Sequence, residues 1–369
     1  MFETAQTVIV KVGTNVLSRD DDSIDESAFG RLASQMTRVR ATGRNVALVS
    51  SGAIGAGLEP LGLAQRPTDL PALQAAAAAG QARMMAMYAN AFATRDVPVA
   101  QLLLTADDFA DRRRYLNIRH TLLSLFSYGV VPIVNENDTV SVEEIKFGDN
   151  DRLAALLANL VAAPLLVVLS IVDGLYDRDP ADPTAEHVRL VERWDDGLFD
   201  LVAATKSSRG TGGMGSKLRA IKAAAAVGEP VILADGRSPD VLDRVIAGEE
   251  VGTLFLAEGG QVPAWKRWVG YASRPAGIVR VDAGAAEAVR GAGRSLLAAG
   301  VTGVEGAFGA GDTVAIVGPD GAEVGRGLAN YAAADLTKIA GLRGAEIEAT
   351  LGSVPYSSVV HRDNLLPTG

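Results

Sequence analysis

Six short runs of β-branched and aliphatic residues, at 7–12, 45–49, 97–104, 130–135, 165–170 and 230–234, recur along the first two thirds of the chain. Between them lie stretches long enough for crossover helices, at 25–41, 70–94, 117–128 and 152–161. Strands joined this way pair in parallel, and a parallel sheet must be covered on both faces. The expected fold class is therefore α/β, a three-layer α/β/α sandwich around a mainly parallel sheet. The alanine-only run 75–79 reads as a tightly packed helix within it. Aromatic residues make up only 5% of a chain that is 48% hydrophobic, which suits helices on a sheet better than a β-sandwich.

With 369 residues the chain exceeds the ~250–300 at which single cores stop growing, so more than one domain is expected. The βα rhythm breaks at 258–275, where Gly259, Gly260, Pro263 and Pro275 surround Trp265 and Trp268. A linker over 259–275 would separate a domain at 1–258 from one at 276–369. Beyond it, glycine-punctuated strands at 277–281, 300–303, 313–317 and 322–328, with a helix at 333–340, suggest a small β-rich barrel. The absence of cysteine excludes disulfide frameworks and thiolate metal sites. No apolar run reaches the ~20 residues needed to span a bilayer, and the N-terminus leads into a strand rather than a signal peptide. A soluble, cytoplasmic protein without a membrane partner is expected. A formal net charge of −9 argues against a nucleic acid as partner of the whole surface.

In open α/β sheets ligands bind beyond the carboxyl ends of the strands, and here those ends are polar and glycine-rich. After the first strand stands Lys11-Val-Gly-Thr14, and after the second Ser50-Ser-Gly-Ala-Ile-Gly-Ala-Gly57. Asn135-Glu-Asn-Asp138 follows the fourth, and Phe147-Gly-Asp-Asn-Asp151 precedes the 152–161 helix. The stretch Lys206-Ser-Ser-Arg-Gly-Thr-Gly-Gly-Met-Gly-Ser-Lys217 runs straight into another helical segment. Its Gly210, Gly212, Gly213 and Gly215 let backbone N–H groups approach an anion, Ser216 is placed to cap the helix, and Lys217 adds a mobile charge. Such a loop suits the phosphates of a nucleotide and points to a kinase, although it does not match the GxxxxGK[ST] P-loop. Each loop also has a plainer reading. Ser50 and Ser51 suit helix caps, 135–138 a turn, 149–151 an acidic helix start, and Lys11 a solvated strand end. Five such loops at the strand ends of one sheet favour a shared active site.

The order and wording of VKVGTNVL (10–17), VSSGAIGAG (49–57), LLLTADDF (102–109), VPIVNENDTV (131–140), IKFGDND (145–151), GTGGMGSK (210–217) and VGTLF (251–255) resemble the glutamate 5-kinases, amino acid kinases of proline biosynthesis. The tail, with its β-rich 276–350 region and HRDN at 361–364, looks like the PUA domain that many bacterial members carry. The resemblance implies transfer of the γ-phosphoryl group of ATP, brought with Mg²⁺, to the side-chain carboxylate of L-glutamate. A carboxylate with a pKa near ~4.3 is already ionised at neutral pH, so no general base is needed and the presence of only three histidines is no obstacle. What is needed is cancellation of charge as a carboxylate nears a polyphosphate.

By the same resemblance Lys11 and Lys217 contact the phosphoryl group, and Asp151, with Asp149 in support, positions them. Ser51, Asp138 and Asn150 contact glutamate, Asp138 pairing with its ammonium, while the Gly52 and Ala53 amides at a helix start receive a carboxylate. ATP lies along Lys11, Gly13, Thr14, Ser170, Ile171 and residues Thr211, Gly212, Gly213, Met214, Gly215, Ser216 and Lys217. No His, Asp and Glu cluster has metal-ligand spacing, so Mg²⁺ is expected to arrive with the nucleotide. Feedback inhibition by proline at the glutamate pocket, with the 138–149 loop as sensor, and assembly into a homo-oligomer, dimer or tetramer, are also implied. Transfer of the product to glutamate-5-phosphate reductase is left open.

The chain departs from the family at Ile171, where an acidic residue is usual. Loss of that carboxylate either weakens nucleotide selectivity or affinity, or is tolerated because the backbone makes the contact. Relatives of the same fold act on aspartate, N-acetylglutamate, carbamate or uridylate, and the PUA-like tail with NENDTV and FGDND favours glutamate among these. RNA binding by the tail is disfavoured, since from Ala276 onward seven Lys/Arg face ten acids.

Overall fold

The computed structural model describes residues 5–19, 23–141, 150–161, 164–180, 182–195, 197–199, 214–226, 228–257, 273–292, 294–352 and 356–368. These fall into two compact units, residues 1–108 with 115–261 and residues 109–114 with 262–369. Of the expected linker at 259–275, all but 273–275 lies outside the described residues.

The larger unit is built on an eight-stranded sheet. Its strands are β1 (Thr7–Val12), β2 (Asn45–Ser50), β3 (Val99–Leu104), β4 (Val131–Glu136), β5 (Pro164–Ser170), β8 (Leu190–Val191), β9 (Val231–Asp235) and β10 (Thr253–Phe255), in the spatial order β3-β4-β2-β1-β5-β9-β10-β8. The strands from β3 through β9 are all parallel, and only β10 runs antiparallel to its neighbour β9. A separate two-stranded hairpin is formed by β6 (Leu175–Tyr176) and β7 (His187–Val188). The six expected strands are present within two residues of their expected limits, and the short β6, β7, β8 and β10 carry too few residues to show a pattern. The Arg112–Ser127 helix begins five residues earlier than expected, since arginine and leucine extend a helix readily.

β1 and β5 are buried along their whole length, as the central strands of a doubly covered sheet must be. Alternation then decides which layer each side chain meets. Val8, Val10 and Val12 belong to the core formed with Phe29, Leu32 and Met36 of the Glu26–Ala41 helix and Met84, Tyr88 and Phe92 of the Leu70–Ala93 helix. Ile9 and Lys11 take the opposite face of β1, which is covered by the Asn150–Ala158 helix; that helix packs in turn on the Met214–Ala225 helix. A lysine at an odd position of β1 is thus directed into the layer that carries Asp151 and Lys217.

Each long helix has a local reason to start where it does. Asp25 accepts a hydrogen bond from Ser27 N (3.1 Å), and Asp69 accepts one from Ala72 N (3.0 Å) with Pro71 at the first turn. The Leu70–Ala93 helix crosses the Ala53–Leu58 helix at very short range. A Cβ on Gly80 would lie 1.8 Å from Ala53 O, and one on Gly57 would lie 1.8 Å from Ala76 O. That approach requires small residues at the crossing, which accounts for Gly57, Ala76 and Gly80.

The smaller unit holds a five-stranded sheet of β11 (Gly277–Val281), β12 (Val301–Gly306), β13 (Thr313–Val317), β14 (Glu323–Leu328) and β15 (Leu365–Pro367), in the order β12-β11-β13-β14-β15. Helices Ala283–Ala292, Ala333–Ile339 and Gly344–Leu351 accompany it, and Val279, Val289, Ile316, Val324, Leu336 and Ile339 form its core. Among the described helices none is long and apolar enough to cross a membrane.

The helix crossing gives a direct test. Gly80→Ala is expected to destabilise the protein by about 3 kcal/mol or more, because its Cβ meets backbone that cannot yield. Gly30→Ala, in the interior of the Glu26–Ala41 helix with nothing within 4 Å of the added methyl, should stabilise by about 0.5–1 kcal/mol. Urea unfolding of the two variants measures both.

Candidate active site

From β1 the chain passes to β2, on to the edge strand β3, back to β4 between them, and then crosses to β5 on the other side of β1, so the carboxyl ends of β1, β2 and β5 border a topological switch point. Backbone hydrogen bonds tie these ends together: Gly13 N donates to Leu169 O (3.1 Å) and Gly236 N to Ser170 O (2.8 Å). Gly52 has φ +104°, a left-handed conformation that glycine adopts without penalty, and it turns the chain from β2 into the Ala53–Leu58 helix. The Thr14 methyl carbon would lie 3.7 Å from a Cβ placed there, so the β1 and β2 loops abut.

The centre of the site is a buried carboxylate between two ammonium groups. Lys11 Nζ lies 2.7 Å from Asp151 Oδ1, and Lys217 Nζ lies 3.2 Å from Asp151 Oδ2. Lys11 is only 3% exposed and Asp151 1%, so the solvated strand-end reading of Lys11 does not hold. Asp151 opens the Asn150–Ala158 helix, where the helix dipole favours an anion. Burial alone would raise its pKa, and the two lysines more than offset this, holding the carboxyl below the usual aspartate range. Burial and the nearby Lys11 lower the Lys217 pKa, with Asp151 opposing them. Among the described residues two lysines meet one carboxylate here, a composition suited to receiving a phosphate.

A second cluster lies next to it. Asn150 Nδ2 is 2.8 Å from Ser50 O, 2.9 Å from Ser51 Oγ and 2.8 Å from Asn135 Oδ1. Because three acceptors surround that nitrogen, the other amide atom must be the oxygen, and Asn150 Oδ1 is buried without a hydrogen-bond partner among the described residues. The Ser51 hydroxyl, which accepts from Asn150, keeps its own proton to donate. Ser51 does not cap the following helix, whose N-cap is Gly52 with no side-chain bond. Asp138, three residues past Asn135, is also buried, and its Oδ1 likewise lacks a partner among the described residues. Burial pushes its pKa up to about 6, against the opposing charge of Arg66. Two unpartnered acceptors and a free hydroxyl proton match the ammonium and carboxylate of an amino acid.

The remaining expected residues are placed less completely. Asp149, Thr211, Gly212 and Gly213 lie outside the described residues. Met214, Gly215 and Ser216 form the first turn of the Met214–Ala225 helix, so Ser216 is inside the helix and is not its cap. Gly13 spends its N–H on Leu169 and offers space beside the Lys11 ammonium, 3.9 Å from a would-be Cβ, rather than a donor. Ser170 ends β5, and Ile171 next to it is 37% exposed, with its carbonyl accepting from Arg237 Nη2 (2.8 Å). Arg237 Nε also meets Asp235 Oδ1 (3.2 Å), which places a guanidinium against the loop that lacks the usual acid. Asp173 accepts from the Tyr176 hydroxyl (3.0 Å).

Several participants escaped sequence reasoning. Asn135 lay within a recognised motif but was not singled out, and Gln74, Gln81 and Tyr88 stand on the alanine-rich helix, where only their seven-residue spacing could have marked them. Arg66 and Arg237 carry no pattern at all.

The carboxyl ¹³C signal of Asp138 is expected to titrate near pH 6 in the ligand-free protein, and to titrate higher in Arg66→Ala, which removes the opposing positive charge. A midpoint near ~4, the ordinary aspartate value, would contradict the burial described.

Comparison with known proteins identifies the family of the chain. The amino acid kinase family model matches residues 6–235, and the PUA domain model matches residues 277–351. A glutamate 5-kinase of Trichlorobacter lovleyi is 45% identical over 367 residues, covering 99% of this chain and 98% of the relative. That of Synechococcus sp. is 46% identical over 367 residues, with 99% of each chain covered. That of Rhodopirellula baltica is 44% identical over 368 residues, covering 99% of this chain and 95% of the relative. The chain belongs to the amino acid kinase family, and within it to the glutamate 5-kinases with a C-terminal PUA domain.

Proposed function

We propose that this kinase transfers the γ-phosphoryl group of ATP to the side-chain carboxylate of L-glutamate, giving L-glutamyl 5-phosphate and ADP as the first step of proline biosynthesis. The observation that carries the reading is the Asp151 carboxylate clasped by Lys11 and Lys217 beside a pocket of amino-acid-binding groups. Glutamate seats its ammonium on Asp138 and the Asn150 oxygen. Ser51 donates to a carboxylate, as do the amides at the start of the Ala53–Leu58 helix. A side-chain carboxylate oxygen then attacks the γ-phosphorus, the bond to the β–γ bridging oxygen breaks, and ADP leaves with that electron pair. No proton has to move, so a site without a general base is sufficient.

The lysines reduce the repulsion between the two anions and follow the charge onto the leaving phosphate. Asp151 holds both ammonium groups in place before the substrates arrive. Both of its oxygens are engaged by lysines, and no cluster of three His, Asp or Glu occurs among the described residues. These residues do not fit a protein-built Mg²⁺ site, so the metal is assigned to the nucleotide's own phosphates. ATP is assigned to the β5 end at Ser170 and Ile171 and to the start of the Met214–Ala225 helix, with Thr211, Gly212 and Gly213 completing its loop. Residues 1–258 are assigned as the catalytic domain and 276–369 as the PUA domain, in a cytoplasmic homo-oligomer. Proline, a cyclised glutamate skeleton, is assigned to the same Ser51, Asp138 and Asn150 pocket as a feedback inhibitor.

ADP release by the purified protein, with L-glutamate against L-aspartate, N-acetylglutamate and UMP and with or without L-proline, tests the assignment. Turnover should require glutamate and fall with proline, and equal turnover with another acceptor would overturn it. Lys217→Ala should lower kcat by about 10²-fold or more, the scale of one lost charge stabiliser. Asp138 must be ionised to hold an ammonium, so kcat/KM for glutamate should fall as pH drops through about 6 and remain level above it. Proline sensitivity should weaken together with glutamate affinity in Asp138→Ala.

A further inference from the structure

The Leu70–Ala93 helix carries three polar side chains that point at the glutamate pocket from behind. Gln74, Gln81 and Tyr88 are spaced by seven residues, just under two full turns, so they share one face of an otherwise alanine- and methionine-rich helix. Each meets a different piece of the pocket wall. Gln74 Nε2 donates to Asp138 O (3.1 Å). Gln81 Oε1 accepts from Asn135 Nδ2 (2.8 Å), and Asn135 Oδ1 in turn accepts from Asn150 Nδ2 (2.8 Å) and Glu136 N (2.9 Å). The Tyr88 hydroxyl lies 2.7 Å from Ser50 Oγ, and Tyr88 is fully buried.

The polarity of each contact is fixed by chemistry. A backbone N–H can only donate, so the Asn135 atom facing Glu136 N is its oxygen and the atom facing Gln81 is its nitrogen. Gln81 must therefore present an acceptor. Gln74 faces a backbone carbonyl, which only accepts, so it must present a donor. Two glutamines on one helix face thus have opposite requirements.

We propose that this face of the helix is a positioning rail for the substrate pocket: Gln74, as a donor, sets the backbone of Asp138, and Gln81, as an acceptor, holds Asn135 and through it Asn150, while neither touches glutamate. The inference rests on the reading of the Ser51, Asp138 and Asn150 pocket as the glutamate site. The rail also explains why this helix is packed so closely. The contact of Gly80 with Ala53 O and Gly57 N locks the helix against the segment that carries Ser51 and Gly52, so the three hydrogen bonds and the glycine crossing share one rigid support.

The same isosteric substitution at the two glutamines separates positioning from general stability. Glutamate at position 74 cannot donate to a carbonyl when ionised, whereas glutamate at position 81 still accepts from Asn135. In the full-length enzyme, Gln74→Glu should raise the KM for L-glutamate by about fivefold or more, with kcat and the KM for ATP within about twofold of wild type. Gln81→Glu should leave all three within about twofold. Gln74→Met, which removes the donor without adding charge, should raise glutamate KM as Gln74→Glu does, and Gln81→Met should raise it as well. Both side chains are partly exposed, so the Gln→Glu pair is expected to fold, and Tm is measured alongside.

An unchanged glutamate KM in Gln74→Met overturns the proposal, as do equal losses in Gln74→Glu and Gln81→Glu. Losses that appear equally in the KM for ATP also overturn it, because they would report general damage rather than a displaced pocket. A wild-type enzyme without glutamate-dependent turnover would overturn the underlying pocket reading. Wild-type turnover with indifferent Gln74 variants would overturn the rail alone.

Discussion

The candidate site is built around a buried carboxylate shared by two lysines. Asp151, 1% exposed, is tolerable in that position because Lys11 and Lys217 each take one of its oxygens. A buried charge without a partner costs several kcal/mol, so the three groups must be brought together by the fold or not buried at all. They come from three elements far apart in sequence: a central strand, the start of one helix and the first turn of another. The parallel sheet makes this possible, because alternation along β1 sends Lys11 toward the layer in which those two helices pack on one another.

The adjacent cluster follows a different principle. Its groups are neutral or only weakly committed, and two buried oxygens, on Asn150 and Asp138, lack partners among the described residues. Unsatisfied buried acceptors weaken a fold, and a ligand that supplies an ammonium relieves the deficit on binding. Burial raises the Asp138 pKa to about 6 against the opposing charge of Arg66, so the burial that readies the pocket for a cation also makes it sensitive to pH.

Much of this was legible in the sequence, for identifiable reasons. The strands of the sheet are continuous aliphatic runs because they are buried on both faces, and such runs stand out against helical segments. Lys11, Ser51, Asp138, Asn150, Asp151 and Lys217 were readable because they follow strands or open helices in polar, glycine-rich wording. The supporting residues were not. Gln74, Gln81 and Tyr88 act from the middle of a helix through contacts 38 to 64 residues away, and a glutamine among alanines looks like surface. The glycines before Ser216 suggest a loop with that serine as cap, but the helix already begins at Met214. The glycines at 57 and 80 become intelligible only with the helix crossing, a tertiary constraint with no local signature.

The role of the buried carboxylate is the claim on which the account stands. Steady-state turnover of Asp151→Asn, with saturating Mg-ATP and L-glutamate, tests it most directly, because asparagine keeps the shape and removes the charge. The account predicts a fall in kcat of about 10²-fold or more in a protein whose circular dichroism and glutamate affinity are retained. A kcat within a few-fold of wild type would contradict it.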